Sequence, residues 1–79
     1  MNKEYYFLEV TKYWKGNLIS SYETDDENMD DYKVFDTKEE GEKFLEDLNI
    51  ENLSYEEAIS YCLRKSNGQA VAERTFGNM

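Results

Sequence analysis

The side chains best equipped to do chemistry in this chain are carboxylates, and they are concentrated in one stretch. Between Glu23 and Glu57 stand fifteen acids: Glu23, Asp25, Asp26, Glu27, Asp30, Asp31, Asp36, Glu39, Glu40, Glu42, Glu46, Asp47, Glu51, Glu56 and Glu57. Only Lys33, Lys38 and Lys43 oppose them, an excess of twelve negative charges in a chain of net charge −9. The flanks are mildly basic, with Lys3, Lys12, Lys15, Arg64, Lys65 and Arg74 against Glu4, Glu9 and Glu73. Carboxylates so arranged could work in pairs as acid and base, hold a hard cation, or attract a cationic surface.

Acid–base work needs two carboxyls whose environments push their pKa values apart, and these acids stand in polar surroundings. The chain has no histidine, which removes the commonest general base and the commonest transition-metal ligand. There is no Gly-rich phosphate loop, no cysteine cluster and no serine-centred elbow. Cys62 is the only cysteine; without histidine it cannot form a Cys–His nucleophile, and its place beside Ala58 on an apolar stripe reads as a small buried hydrophobe. The chain therefore reads as a protein without catalytic residues or cofactor. Asp26-x-Asn28-x-Asp30 matches the first three ligand positions of a calcium loop. The match then ends, because the sixth position is Asp31 where the turn needs Gly and the twelfth is Thr37 where a bidentate Glu is needed. No dedicated metal site is expected.

Attraction to a basic partner is what remains. Carboxylates three and four residues apart on a helix lie about 5–6 Å apart at Cβ, and duplex DNA carries one charge per about 1.7 Å of axis. A rigid acidic helix beside an acidic loop could copy part of that field. A protein that grips phosphates with Lys and Arg would then meet a decoy. The same charge disfavours direct binding to nucleic acid or to an anionic membrane.

The elements that must present these acids follow from periodicity. With 79 residues, the chain (1–79) reads as a single domain. Its twelve aromatics, seven of them Tyr, set it apart from a disordered acidic tail. Residues 4–14 alternate with apolar Tyr6, Leu8, Val10 and Trp14 and read as a strand. Lys15-Gly16-Asn17 reads as a three-residue turn pairing Trp14 with Leu18 and Val10 with Tyr22, a two-residue Gly16-Asn17 loop with Ile19 opposite Trp14 being the other option. A second strand runs over 18–23, an acidic loop over 24–31, and a short third strand over 32–35.

Thr37-Lys-Glu-Glu40 is a capping box opening a helix that ends near Leu48 or Asn49, with Phe44, Leu45 and Leu48 facing inward. Gly41, a weak helix former, suggests close packing on the sheet. Ser54-Tyr-Glu-Glu57 reads as a second capping box. Ala58, Ile59, Cys62 and Leu63 then supply the buried face of a second helix, stopped by Asn67-Gly68. A last strand lies over 69–76, and Gly77 to Met79 should fray. The order β-β-β-α-α-β implies an α+β fold: a small antiparallel sheet with two helices packed on one face.

No apolar run approaches the ~20 residues of a membrane span. Met1 to Phe7 shows no signal-peptide core, and one lone cysteine suits a reducing cytoplasm. The absence of proline and the abundance of Asn, Lys, Glu and Tyr suit a low-GC bacterial or phage source, which would put the protein in a bacterial host cell. In size, charge and element order the chain resembles the small acidic single-domain inhibitors made by phages, anti-CRISPR proteins and DNA mimics among them. The likeness covers no residue motif.

The expectation is a non-enzymatic inhibitor that docks into the basic nucleic-acid-binding groove of a partner, a CRISPR effector or another defence nuclease being the type. The expected contacts are Asp25, Asp26, Glu27, Asp30, Asp31, Glu39, Glu42 and Glu46, with Trp14 as an aromatic anchor at the hairpin tip. A monomer is expected over a homodimer. The alternative is an assembly protein that dimerises, or joins a complex, through the hairpin and Trp14, its acidic face serving only solubility.

Overall fold

The computed structural model describes residues 3–77. Among these the elements run β1 (Tyr6–Trp14), β2 (Asn17–Glu23), β3 (Val34–Phe35), α1 (Lys38–Asp47), β4 (Glu57–Lys65) and β5 (Ala70–Gly77). Of the frayed end expected over 77–79, Asn78 and Met79 lie outside the described residues. The strands form one antiparallel sheet in the order β2-β1-β4-β5, with β3 also pairing β1.

The order is thus β-β-β-α-β-β, and the two-helix expectation is overturned. Residues 57–65 form a nine-residue central strand paired along the whole of β1, from Tyr6↔Lys65 to Trp14↔Glu57. The cause of the misreading is geometric. A spacing of four residues returns a side chain to the same face of a helix and of a strand alike. Ala58 with Cys62 and Ile59 with Leu63 satisfy both periods. In the structure the two pairs take opposite faces of β4, and Ala58, Cys62 and Leu63 are all buried. Ser54 caps no helix; its carbonyl accepts the Glu57 N–H in a turn at 3.1 Å. Asn67-Gly68 turns the β4–β5 hairpin, where Lys65 N–H donates to the Gln69 carbonyl at 2.9 Å. Arg64 and Lys65, at the end of β4, pair with Glu9 at 3.3 Å and Glu4 at 3.5 Å.

The first hairpin is turned by Lys15 (φ 52°) and Gly16 (φ 80°), a two-residue loop with the backbone twist that hairpins favour. Trp14 therefore opposes Asn17 and Tyr13 opposes Leu18, which corrects the three-residue register. A bulge then places Ile19 out of register, so that Lys12 meets Ser20 and Val10 meets Tyr22 as expected. The bulge moves Leu18 to the face of Tyr13, away from Leu8 and Val10.

β2 and β3 lie along the same edge of β1, Glu9↔Glu23 being followed by Phe7↔Val34 and Tyr6↔Phe35. They are two parts of one interrupted strand. The segment 25–33 is an excursion from it.

The helix forms where the sequence places it. The Thr37 hydroxyl accepts the Glu40 N–H at 3.2 Å and donates to the Glu40 carboxylate at 3.2 Å. Below α1 lies the core: Leu8, Val10, Phe35, Leu45 and Leu63. A ten-residue helix spans about 15 Å, whereas the molecule is 45 Å long. The hairpin end is consequently left without a helix over it, and Trp14, Leu18 and Ile19 are 42%, 62% and 60% exposed there.

Candidate functional site

The acidic excursion is tied at its base by one threonine. Thr24 is buried, and its Oγ1 accepts the Leu8 N–H at 2.9 Å and donates to the Lys33 carbonyl at 2.7 Å. Backbone bonds from Thr24 N–H to the Leu8 carbonyl (2.9 Å) and from Lys33 N–H to the Thr24 carbonyl (2.7 Å) close the same gate. Within the loop, Asp26 accepts the Asn28 N–H at 2.9 Å, and the Met29 N–H donates to the Asp26 carbonyl at 3.1 Å.

Two tyrosines, Tyr5 just before β1 and Tyr22 of β2, hold its two shoulders: the Tyr5 hydroxyl donates to Asp25 at 3.0 Å and the Tyr22 hydroxyl to Asp31 at 3.2 Å. Each hydroxyl is pushed above its usual pKa. For Tyr5 the hydrogen bond to Asp25 is the leading cause, and for Tyr22 it is burial, followed by the bond to Asp31. Tyr61 is raised as well, by burial first and then by the negative charge of Asp31.

The loop thus presents Asp26, Glu27, Asp30 and Asp31 exposed, with Asp25 half-buried. The helix divides the remaining expected contacts from them. Leu45 and Gly41 face the core. Residues three and four apart share a helix flank, so Glu39, Glu42 and Glu46 form one row and Glu40, Phe44 and Asp47 another. The first row borders β5, where Glu42 and Glu46 line a cavity of about 430 Å³ with Leu45, Ala72, Glu73 and Arg74. The second row faces the acidic loop. The eight expected acids therefore make two surfaces, one on each side of α1. Trp14 belongs to neither: it stands six residues along β1 from Leu8, where the loop begins, or about 20 Å away.

Arg74 is the residue that sequence reasoning missed here. α1 has no basic residue in its last turn, and Arg74 of β5 supplies the missing cation. Its Nη1 donates to the Leu45 carbonyl and, at 2.8 Å, to the Glu46 carbonyl. The guanidinium also lies 4.7 Å from the centre of the Phe76 ring. No local signal marks Arg74, because its partners are 28 and 29 residues away.

On the loop side, a second cavity of about 400 Å³ opens between the helix, the sheet and the excursion. Leu8, Val10 and Thr24 back it, Tyr22, Tyr61, Phe44 and Leu48 wall it, and Asp31, Tyr32 and Lys33 complete the lining. Lys33 Nζ sits 4.6 Å from the Phe44 ring centre and 5.6 Å from that of Phe35.

Among the described residues no group of three or more Cys, Asp or Glu side chains converges to hold a metal ion. No helix of the described residues is long and apolar enough to cross a membrane. Cys62 is buried and free, and burial raises its thiol pKa against the lowering effect of Arg64. Comparison with family models, curated proteins and solved structures found no match in any of the three.

Proposed function

We propose that this chain is a small acidic, non-enzymatic binding protein that docks its anionic surface into the basic nucleic-acid-binding groove of a partner protein, as an inhibitor of the phage counter-defence or DNA-mimic type working in a bacterial cytoplasm. One observation carries this reading. Of the fifteen acids between Glu23 and Glu57, only Asp36 forms an ion pair among the described residues, with Lys3 at 3.4 Å. Ten of the fifteen stand on the anchored loop or the capped helix, and the chain's own cations leave nearly all of the charge available. Fixed carboxylates of this kind steer a basic partner and lose their pull as salt screens them.

The test uses two triple charge reversals, Asp26/Glu27/Asp30→Lys and Glu39/Glu42/Glu46→Lys, in pull-downs from a bacterial lysate at low and high salt. The captured protein is then assayed for duplex DNA binding with and without the chain. At least one triple should abolish salt-sensitive capture, and the wild-type chain should compete with DNA. Capture and salt dependence that both triples leave unchanged would end this reading.

A second reading, association through the hairpin, is favoured by a different observation. β2 is an edge strand with Leu18 and Ile19 exposed, and the only charge on it is Glu23. An open, nearly uncharged edge is a template for pairing with another strand. Sedimentation at two concentrations decides it. A concentration-dependent dimer lost in Ile19→Lys supports the reading, and a monomer at both concentrations removes it.

A further inference from the structure

We propose that the cavity between α1 and the acidic loop is a socket for one arginine side chain of the partner, the guanidinium lying among Tyr22, Tyr32, Phe44 and Tyr61 with Asp31 as its carboxylate. This deepens the reading of an anionic docking surface and rests on it.

Three features of the cavity support the assignment. Its walls are aromatic, and aromatic faces attract cations. Its one acid is already oriented: the Tyr22 hydroxyl donates to Asp31 Oδ2 at 3.2 Å, which fixes the carboxylate without consuming its charge. A volume of about 400 Å³ backed by buried Leu8 and Val10 has room for the aliphatic stem as well as the head. The ring of Phe44 already carries one cation, Lys33 Nζ at 4.6 Å, so the wall is open to a charged nitrogen from the chain itself. A flat guanidinium can stack on a ring while its N–H fork engages a carboxylate in two parallel bonds, whereas an ammonium is a strongly hydrated point charge that makes no such bidentate pair. Arginine is therefore the occupant. Lys33 is the intramolecular competitor it must share the groove with. The site lies between the loop acids on one side and the row of Glu40 and Asp47 on the other, so the field of both draws a cation toward it.

The test titrates the ¹⁵N-labelled full chain with the blocked peptide acetyl-Gly-Arg-Gly-amide and with its citrulline counterpart, which has the same shape and no charge. The arginine peptide should shift the amides of Tyr22, Asp31, Phe44 and Tyr61, and the citrulline peptide should not. Asp31→Asn keeps an acceptor for Tyr22 and should weaken binding about ten-fold. Tyr32→Ala, at an exposed position, should weaken it roughly five-fold. Lys33→Gln, which keeps both backbone bonds to Thr24, should tighten it. Arginine-peptide shifts spread evenly over all the acids, with the same affinity in Asp31→Asn and Tyr32→Ala, would overturn the socket and leave the anionic surface standing. Absence of any response to the arginine peptide at low salt would overturn both.

Discussion

Gly41 of the helix and Leu63 of the central strand touch so closely that a methyl group on Gly41 would come within 2.6 Å of Leu63 Cδ1 and 2.8 Å of Cδ2. Leu63 is fully buried, so its isobutyl group has little room to retreat. Gly41→Ala gains about 1 kcal/mol in helix propensity and loses about 1–3 kcal/mol to overpacking. The expected net is a loss of about 1 kcal/mol, or about 4–8 °C in Tm for a domain of this size. Thermal melts of the two proteins measure it. A higher Tm in the variant would mean that Leu63 swings aside without cost.

Arg74 ties the last strand to the end of the helix. Arg74→Met keeps an apolar stem against Phe76 and removes the donors to the Leu45 and Glu46 carbonyls. Hydrogen bonds from a charged donor are worth about 1.5–3 kcal/mol each when sheltered. The bond to Glu46 is exposed, so a loss of about 1–2 kcal/mol in all is expected. Urea denaturation should show a lower midpoint with an unchanged slope.

Thr24 is the hinge pin of the acidic loop. Thr24→Val keeps the shape and removes the hydroxyl that serves both the Leu8 N–H and the Lys33 carbonyl. Leaving buried polar groups without a partner costs about 1–3 kcal/mol. Hydrogen exchange at the Leu8 and Lys33 amides should quicken, and Thr24→Ser should restore protection. Equal exchange in Thr24→Val and wild type would show that the backbone bonds alone hold the gate.

Alkaline stability follows from the tyrosines. Tyr5, Tyr22 and Tyr61 all have hydroxyl pKa values above the ordinary 10.0. A phenol whose folded-state pKa lies above its unfolded value binds its proton more tightly in the folded chain. Its contribution is therefore complete below pH 10 and is lost as the pH rises from there through the folded value. Chemical denaturation from pH 8 to pH 11 should show stability falling above pH 10. The fall should be shallower in Tyr22→Phe/Tyr61→Phe, which has two fewer such phenols.

Much of the local architecture was legible in the sequence. The Thr37 cap, the inward Phe44 and Leu45, the alternation of Tyr6, Leu8 and Val10 and the pairing of Val10 with Tyr22 all follow from near neighbours in the chain. The central strand over 57–65 was not legible and read as a second helix instead. Ala58, Ile59, Cys62 and Leu63 repeat at a spacing that fits both a helix and a strand buried on two faces. The deciding factor was the second edge of β1, whose nine residues found a full-length partner only in residues 57–65. The two-residue turn escaped too, because its compensating bulge at Ile19 restores the same Val10–Tyr22 pair that a longer loop would give.

The candidate site divides in the same way. The order of residues alone determined that the middle of the protein is strongly anionic, since charge is summed along a stretch of chain and needs no coordinates. Only the tertiary structure decided how that charge is distributed. It made the loop an excursion from a single interrupted strand, set Glu42 and Glu46 on the far flank of the helix, and brought Tyr22, Tyr61 and Phe44 around Asp31. Direction and distance between segments tens of residues apart depend on which strand edges pair, and that choice is made by the whole sheet at once.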